Sequence, residues 1–328
     1  MTRIARRSLL AGGVATCVAA PAVLRAQGAA GLADAASRYD QLHSILVLRG
    51  GEEVVAQAFR GPGLDRVANV KSVSKTLLSL LTGIAIDRDE VSGPDAALLP
   101  LLGRAPTGDA RDRITLGDLL SLRGGLSSTS GPNYGEWVSS GNWVEYALDQ
   151  PLQSEPGERF IYSTGSTHLL GVALARATGN DLLSLFRSWI GAPLGIDFAP
   201  WVADPQGNYL GGNDMGISPR DLARVGQMVL QDGAWNGASV VSPDWIDASW
   251  TARARSPWSG DRYGYGWFLT ELAGTPVRYA RGYGGQILAV APERDTVIVI
   301  TSDPMRPARS AGYFGDLRDL LTQAVAAS

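Results

Sequence analysis

The 328-residue chain has one cysteine, two histidines, two lysines and no long unbroken hydrophobic or low-complexity run. Each shortage excludes something. Cys17 lies in the first thirty residues, and Thr16 precedes it where lipoprotein processing needs a small Gly, Ala or Ser. A lipid anchor is therefore not expected, and the rest of the chain has no thiol for a disulfide, a zinc-thiolate site or a cysteine nucleophile. The two histidines, His43 and His168, are far apart, and no Gly-x-Ser-x-Gly elbow accompanies them. That argues against a Ser-His-Asp hydrolase. It also argues against metal catalysis, because the scattered carboxylates show no ligand spacing. Neither a metal nor a cofactor is expected. Net charge is -3, and residues 1 to 28 contain four arginines and no acid, so the remaining chain is more acidic still. Nucleic acid is an improbable partner for such a chain.

What is present suffices for a folded protein: 45% of residues are hydrophobic and 19% charged, an ordinary globular balance. The opening Met1-Thr2-Arg3-Ile4-Ala5-Arg6-Arg7-Ser8-Leu9-Leu10 sets an arginine pair before a moderately apolar stretch ending near Leu24, interrupted by Gly12, Gly13 and Pro21. This pattern predicts a twin-arginine export signal over residues 1 to 28, cut between Ala26 and Ala30, rather than a stable membrane anchor. The expected partner is the export machinery. A periplasmic or secreted location follows.

Short β-type runs occur at Ser44 to Arg49 and Glu53 to Phe59, and again at Tyr265 to Leu269, Val277 to Tyr279, Ile287 to Val290 and Thr296 to Ile300. A helical pattern closes the chain from Asp316 to Ala326. Between the two strand groups the periodicity is helical, at Ser74 to Ile86, Thr115 to Leu122, Trp143 to Leu148, Ser166 to Thr178, Asp181 to Trp189, Pro219 to Gln231 and Pro243 to Trp250. Ser218-Pro219 and Ser242-Pro243 are good helix starts, the serine capping and the proline in the first turn. The expected architecture is α+β. A sheet lobe is drawn from residues 29–71 and 251–328, with a mainly helical lobe over 72–250 inserted, and the cleft between them is the natural place for a site.

The two lysines, against 27 arginines, bracket a serine in Asn69-Val70-Lys71-Ser72-Val73-Ser74-Lys75-Thr76. Lysine can lose its proton when desolvated and arginine cannot. If Ser72 begins a helix, Lys75 stands one turn further along the same face and can take the hydroxyl proton. A Ser three residues before a Lys is by itself a common coincidence. Its context, the apolar helix Leu77 to Ile86, would hold the pair rigidly.

Ser72-Val73-Ser74-Lys75 in this setting resembles the Ser-x-x-Lys element of the serine β-lactamase and penicillin-binding protein superfamily, especially its class C-like esterases and 6-aminohexanoate oligomer hydrolases. The resemblance continues in chain order through Ile114 to Leu126, Glu155 to Thr164, Gly211-Gly212, Arg220 to Arg224, Trp235-Asn236-Gly237 and Tyr263 to Trp267. It implies the β-lactamase/D,D-peptidase-like fold, an antiparallel sheet flanked by helices with an inserted helical lobe. It also implies roles: Ser72 the acylated nucleophile, Lys75 its base, and Tyr162 the second acid/base group. The segment Arg281-Gly282-Tyr283-Gly284-Gly285-Gln286-Ile287 matches the strand that faces the cleft. By the family pattern an amide near Gln286 would join that of Ser72 as an oxyanion hole, with Tyr283, Gly284 and Gly285 lining the substrate.

Two positions depart from the β-lactam-handling members. Thr164 stands where Asn is usual, and Tyr283 where Lys or His precedes the strand glycine. The second change removes a recognition group for a substrate carboxylate, though Arg281 stands nearby. The expected activity is hydrolysis of a small ester or amide through a Ser72 acyl-enzyme. The alternatives are a D,D-peptidase, a weak β-lactamase or a non-catalytic penicillin-binding sensor.

Overall fold

The computed structural model describes residues 19–327. Most of the expected export signal lies outside them. The first element is a helix, α1 (Ala19–Ser37), which runs through the expected cleavage region and buries Leu32 and Ala36 against the sheet.

Eight strands form one sheet: β1 (Leu42–Arg49), β2 (Glu52–Ala58), β3 (Ala254–Arg255), β4 (Arg262–Tyr263), β5 (Phe268–Leu272), β6 (Thr275–Gly282), β7 (Gln286–Ala291) and β8 (Thr296–Ser302). Their order is β2-β1-β8-β7-β6-β5-β4-β3, with every pairing antiparallel. The two ends of the chain meet where β1 pairs with β8, with Val47 opposite Ile298. Strands β7 and β8 are buried along their whole length. Their alternating side chains feed two cores, which explains why both read as continuous apolar runs. Ile287, Ala289, Ile298 and Ile300 join α1 and the last helix, α7 (Tyr313–Ala326, numbered after the helices below). Leu288, Val290, Val297 and Val299 join the core that continues into the helices of the middle of the chain.

Those helices include α2 (Ser74–Asp87), α3 (Trp143–Leu148), α4 (Thr164–Thr178), α5 (Pro219–Leu230) and α6 (Pro243–Trp250). Helix α2 is buried from Ser74 to Ala85, as expected of a helix apolar nearly all round. Its few polar groups are satisfied: Thr76 Oγ1 donates to the Gly266 carbonyl at 2.6 Å and Ser79 Oγ to that of Tyr265 at 2.8 Å. Helices α5 and α6 start as the sequence predicts, with Ser218 and Ser242 capping and Pro219 and Pro243 in the first turn.

Three expectations need correction. Helix α5 was assigned to the inserted helical lobe, but it lies on the sheet. A Cβ on its Gly226 would come within 2.5 Å of Val297 and 2.9 Å of Leu288, so the glycine sets the packing distance. The helix expected over Thr115 to Leu122 shrinks to Leu116–Leu120, capped by a Thr115–Asp118 box and stopped at Leu122, whose φ is +57°. The strand expected from Tyr265 begins only at Phe268, because Gly266, at φ +79°, turns the chain against the Lys75 and Thr76 backbone of α2.

One local pairing places the site. Ala68–Asn69, just ahead of the Ser72 segment, pairs antiparallel with Gly216–Ile217. Val70 N–H donates to the Met215 carbonyl at 3.0 Å. Two segments far apart in sequence are thereby clamped side by side.

Candidate active site

Ser72 sits in a tight turn, Lys71–Val73, that leads into α2. Lys71 has a φ of +50°, a left-handed conformation that costs a non-glycine residue about 1–2 kcal/mol. It is held from every side. Its N–H donates to Asn69 Oδ1 at 2.9 Å, its carbonyl accepts from Ser74 Oγ at 2.5 Å, and its Nζ pairs with Asp214 Oδ1 at 2.6 Å. Asp214 is itself left-handed, at φ +60°. Strain of this kind persists only where the surroundings over-determine it, and it clusters at functional sites.

Lys75 reaches back from the first turn of α2, with its Nζ 3.0 Å from Ser72 Oγ. The amine has two further partners, Thr164 Oγ1 at 3.2 Å and the Gly212 carbonyl at 2.8 Å. Only 4% of Lys75 is exposed, and this burial pulls its pKa down to about 7, against the opposing pull of the Asp214 charge. Such a group is divided between base and acid near neutral pH.

Tyr162, just ahead of α4, has its ring centroid 4.9 Å from Lys75 Nζ, with the Ser72 side chain close enough to act on its phenol. Burial raises the phenol above its ordinary range, while the Ser72 side chain and the Arg281 charge pull it down. Thr164 follows at the first position of α4. Its hydroxyl meets Ser130 Oγ at 2.9 Å, and its N–H donates to the same oxygen at 2.8 Å.

The expected residues Ser72, Lys75, Tyr162 and Thr164 thus come together. The strand segment behaves differently. The glycine that abuts the nucleophile's turn is Gly282, where a Cβ would lie 2.4 Å from the Val70 carbonyl and 3.0 Å from Lys71 Cβ. Tyr283, next in sequence, is 54% exposed. Gly284 packs on Asp303 and Pro304, and Gly285 on Leu317 and Tyr313. The buried Gln286 side chain bonds the Ser302 main chain and the Tyr283 carbonyl. These three residues support the turn, so the close approach falls short of the expected Gly284 to Gln286 stretch. Nor is the Arg281 guanidinium free: it donates to Ser310 Oγ and the Ala308 carbonyl and lies 3.5 Å from the Phe314 ring centroid.

The Gly212-Asn213-Asp214 segment completes the site, and of these three residues the sequence pointed only to Gly212. Ser72 Oγ donates to Asn213 Oδ1 at 3.4 Å. At Gly212 (φ +81°) a Cβ would come within 2.9 Å of Lys75 Cγ and 2.5 Å of Thr167 Oγ1, so only glycine lets this carbonyl approach the amine. His168 steadies the same segment: its Nδ1 accepts from the Gly211 N–H at 3.3 Å, and its Nε2 lies 3.2 Å from Asp204 Oδ2. Among the described residues no cluster of three or more His, Cys, Asp and Glu side chains is placed to hold a metal.

A serine hydroxyl, a buried amine of near-neutral pKa and a phenol ring converge beside the end of β6, the groups that hydrolase chemistry of the Ser-Lys type requires. The Beta-lactamase family matches residues 22–322, and the chain belongs to that family. The chain is 26% identical over 288 residues to the 6-aminohexanoate-dimer hydrolase of Paenarthrobacter ureafaciens, covering 78% of this chain and 71% of that protein. It is 24% identical over 302 residues to the D-alanyl-D-alanine-carboxypeptidase/endopeptidase AmpH of Escherichia coli, covering 80% and 77%. The crystal structure of a beta-lactamase/D-alanine carboxypeptidase from Yersinia pestis superposes with a TM-score of 0.72 at 20% identity, covering 93% of this chain and 99% of that one. The fold is therefore that of the serine β-lactamases and penicillin-binding proteins.

Proposed function

We propose that the protein hydrolyses a carboxylic ester or amide through an acyl-enzyme on Ser72. The observation that carries this reading is the 3.0 Å contact between Ser72 Oγ and the Lys75 amine, whose pKa burial sets at about 7. Neutral Lys75 takes the serine proton as Oγ bonds the acyl carbon. Negative charge on the acyl oxygen is met by the Ser72 amide and by the backbone after Gly282, which reaches the nucleophile's turn where Gln286 was expected to. The proton then passes from Lys75 by way of Tyr162 to the leaving group, whose bond to the acyl carbon breaks. Water attacks the acyl carbon in turn and gives a proton to the same pair, which returns it to Ser72 Oγ as the bond between Oγ and the acyl carbon breaks and the acid product leaves. No metal or cofactor takes part in these steps. The test is a time course of p-nitrophenyl butyrate hydrolysis by the parent and by Ser72→Ala, with intact mass recorded after brief exposure. Turnover confined to the parent, with an acyl mass on the parent alone, is the expected result. Equal rates would remove Ser72 from the mechanism. A penicillin adduct that never turns over would favour the D,D-peptidase or sensor alternative that the carboxypeptidase relative brings to mind.

We further propose export by the twin-arginine route to the periplasm or medium. The support is the Arg6-Arg7 pair and the small residues Ala26, Gly28, Ala29 and Ala30. Replacing both arginines with lysine is expected to leave the protein in the cytoplasmic fraction.

A further inference from the structure

Trp258 is the second most exposed large apolar side chain among the described residues, at 63%. It stands on the short turn between β3 and β4. That turn is anchored from beneath: Ser256 N–H bonds the Asp261 carbonyl, and Asp261 Oδ2 accepts from Tyr279 and Arg318. The open ring thus stands on a fixed base. It makes edge contacts with Tyr162, at 6.3 Å between centroids and 85° between planes, and with Phe160 at 6.1 Å. A single exposed aromatic needs no explanation. This one adjoins the phenol that, in the reading above, delivers the leaving-group proton. Tyr283, 54% exposed, follows the glycine that abuts the nucleophile's turn. One open aromatic ring thus adjoins the phenol, and a second is carried by the residue that follows Gly282.

The charges nearby point the same way. Lys71 adjoins Ser72 but is neutralised by Asp214 at 2.6 Å. Arg281, on β6 just before Gly282, donates from Nη1 to Ser310 Oγ and from Nη2 to the Ala308 carbonyl. A carboxylate on the leaving group would find the Lys71 amine already paired with an acid, the Arg281 NH groups that make these bonds turned away to Ser310 and Ala308, and the Asp214 charge beside the nucleophile's turn. An uncharged aryl group would find a polarisable surface and lose its water favourably.

We propose that the site takes neutral esters or amides with an aryl or similarly flat apolar leaving group, seated between Trp258 and Tyr283, and discriminates against leaving groups that carry a carboxylate. This rests on the acyl-enzyme reading of Ser72. Its test compares p-nitrophenyl butyrate with 3-carboxy-4-nitrophenyl butyrate on the unaltered protein, then on Trp258→Ala, Trp258→Phe and Tyr283→Ala. The parent should prefer the neutral ester by about tenfold or more in kcat/KM. Trp258→Ala should raise KM for p-nitrophenyl butyrate by about five- to twentyfold, with Trp258→Phe restoring most of the loss. Comparable turnover of the two esters, or a KM that stays within twofold in both alanine variants, would overturn the proposal. Intact mass taken in the same runs separates the two ideas. An acylated Ser72 without aryl preference defeats this inference alone, and no acylation defeats the reading beneath it as well.

Discussion

The amine of Lys75 and the main-chain carbonyl of Gly212, 137 residues apart in sequence, share a hydrogen bond of 2.8 Å. A carbonyl only accepts, so one N–H of Lys75 is committed to it. Thr164 Oγ1 takes a second. A neutral amine has two protons, and with both so occupied its lone pair is left to face Ser72 Oγ. Burial keeps that neutral form accessible near neutral pH, and the two acceptors orient it.

The rate should therefore depend on pH through Lys75. Below about pH 7 the amine is protonated and cannot accept the serine proton. The expected kcat/KM profile falls on the acid side with unit slope in its logarithm and an inflection near 7. The phenol of Tyr162 is raised rather than lowered, so no descending limb from it is expected below about pH 10. An inflection near 5, or a flat profile from 5 to 9, would show that Lys75 is not the base.

The same shift predicts how stability varies with pH. The folded Lys75 pKa, about 7, lies below the ordinary lysine value of 10.5. Between these values the unfolded chain binds the extra proton, so stability rises with pH, by up to about 1.4 kcal/mol per pH unit from this group. Below pH 7 the penalty is present in full. Lys75→Met should lose all activity, gain stability at pH 7 and flatten this slope. Thermal melts at pH 6, 7, 8 and 9 would show it, and a variant melting below the parent at every pH would refute it.

Thr164 offers a sharper separation of position from fold. Its hydroxyl meets both Lys75 and Ser130. Thr164→Val keeps the shape but removes the acceptor, leaving one buried N–H of Lys75 unpaired at a cost of about 1–3 kcal/mol. The expected result is a fall of about ten- to a hundredfold in kcat with little change in KM. Thr164→Asn restores an acceptor and should recover most of it. Equal loss in both variants would mean that the position matters only for packing.

Some of this site was legible in the sequence and some was not, for a physical reason. Ser72, in the turn that leads into α2, and Lys75, in its first turn, stand three residues apart, and Tyr162 and Thr164 flank one helix start, so local spacing already relates them. The lysine scarcity drew attention to the right turn. Asn213 and Asp214 reach Ser72 and Lys71 only through the pairing of Ala68–Asn69 with Gly216–Ile217, a contact that local periodicity does not encode. Helix α5 was recognised as a helix, but its place on the sheet depends on Gly226 meeting Val297 and Leu288. The strand segment failed in register. Its glycines are interchangeable in sequence, yet Gly282 faces the Val70 carbonyl while Gly284 and Gly285 face Asp303 and Leu317.

That register makes opposite predictions for two neighbouring glycines. A methyl group on Gly282 would overlap the Val70 carbonyl, at 2.4 Å, and drive the strand end away from the turn that carries Ser72. Displacement of about 1 Å at a reacting centre is enough to cost about a hundredfold in rate. A methyl group on Gly284 would overlap the Asp303 carbonyl, at 2.3 Å, in a residue whose φ is +83°. That burden falls on the turn and the segment after β8, and predicts a stability loss of about 1–3 kcal/mol. Gly282→Ala should therefore lose kcat far out of proportion to its change in melting temperature, and Gly284→Ala should melt earlier while the fraction that remains folded turns over substrate at a rate much closer to the parent's. Steady-state kinetics and thermal melts on the two variants side by side decide it. The reverse pattern would return the close approach to Gly284 and the residues after it.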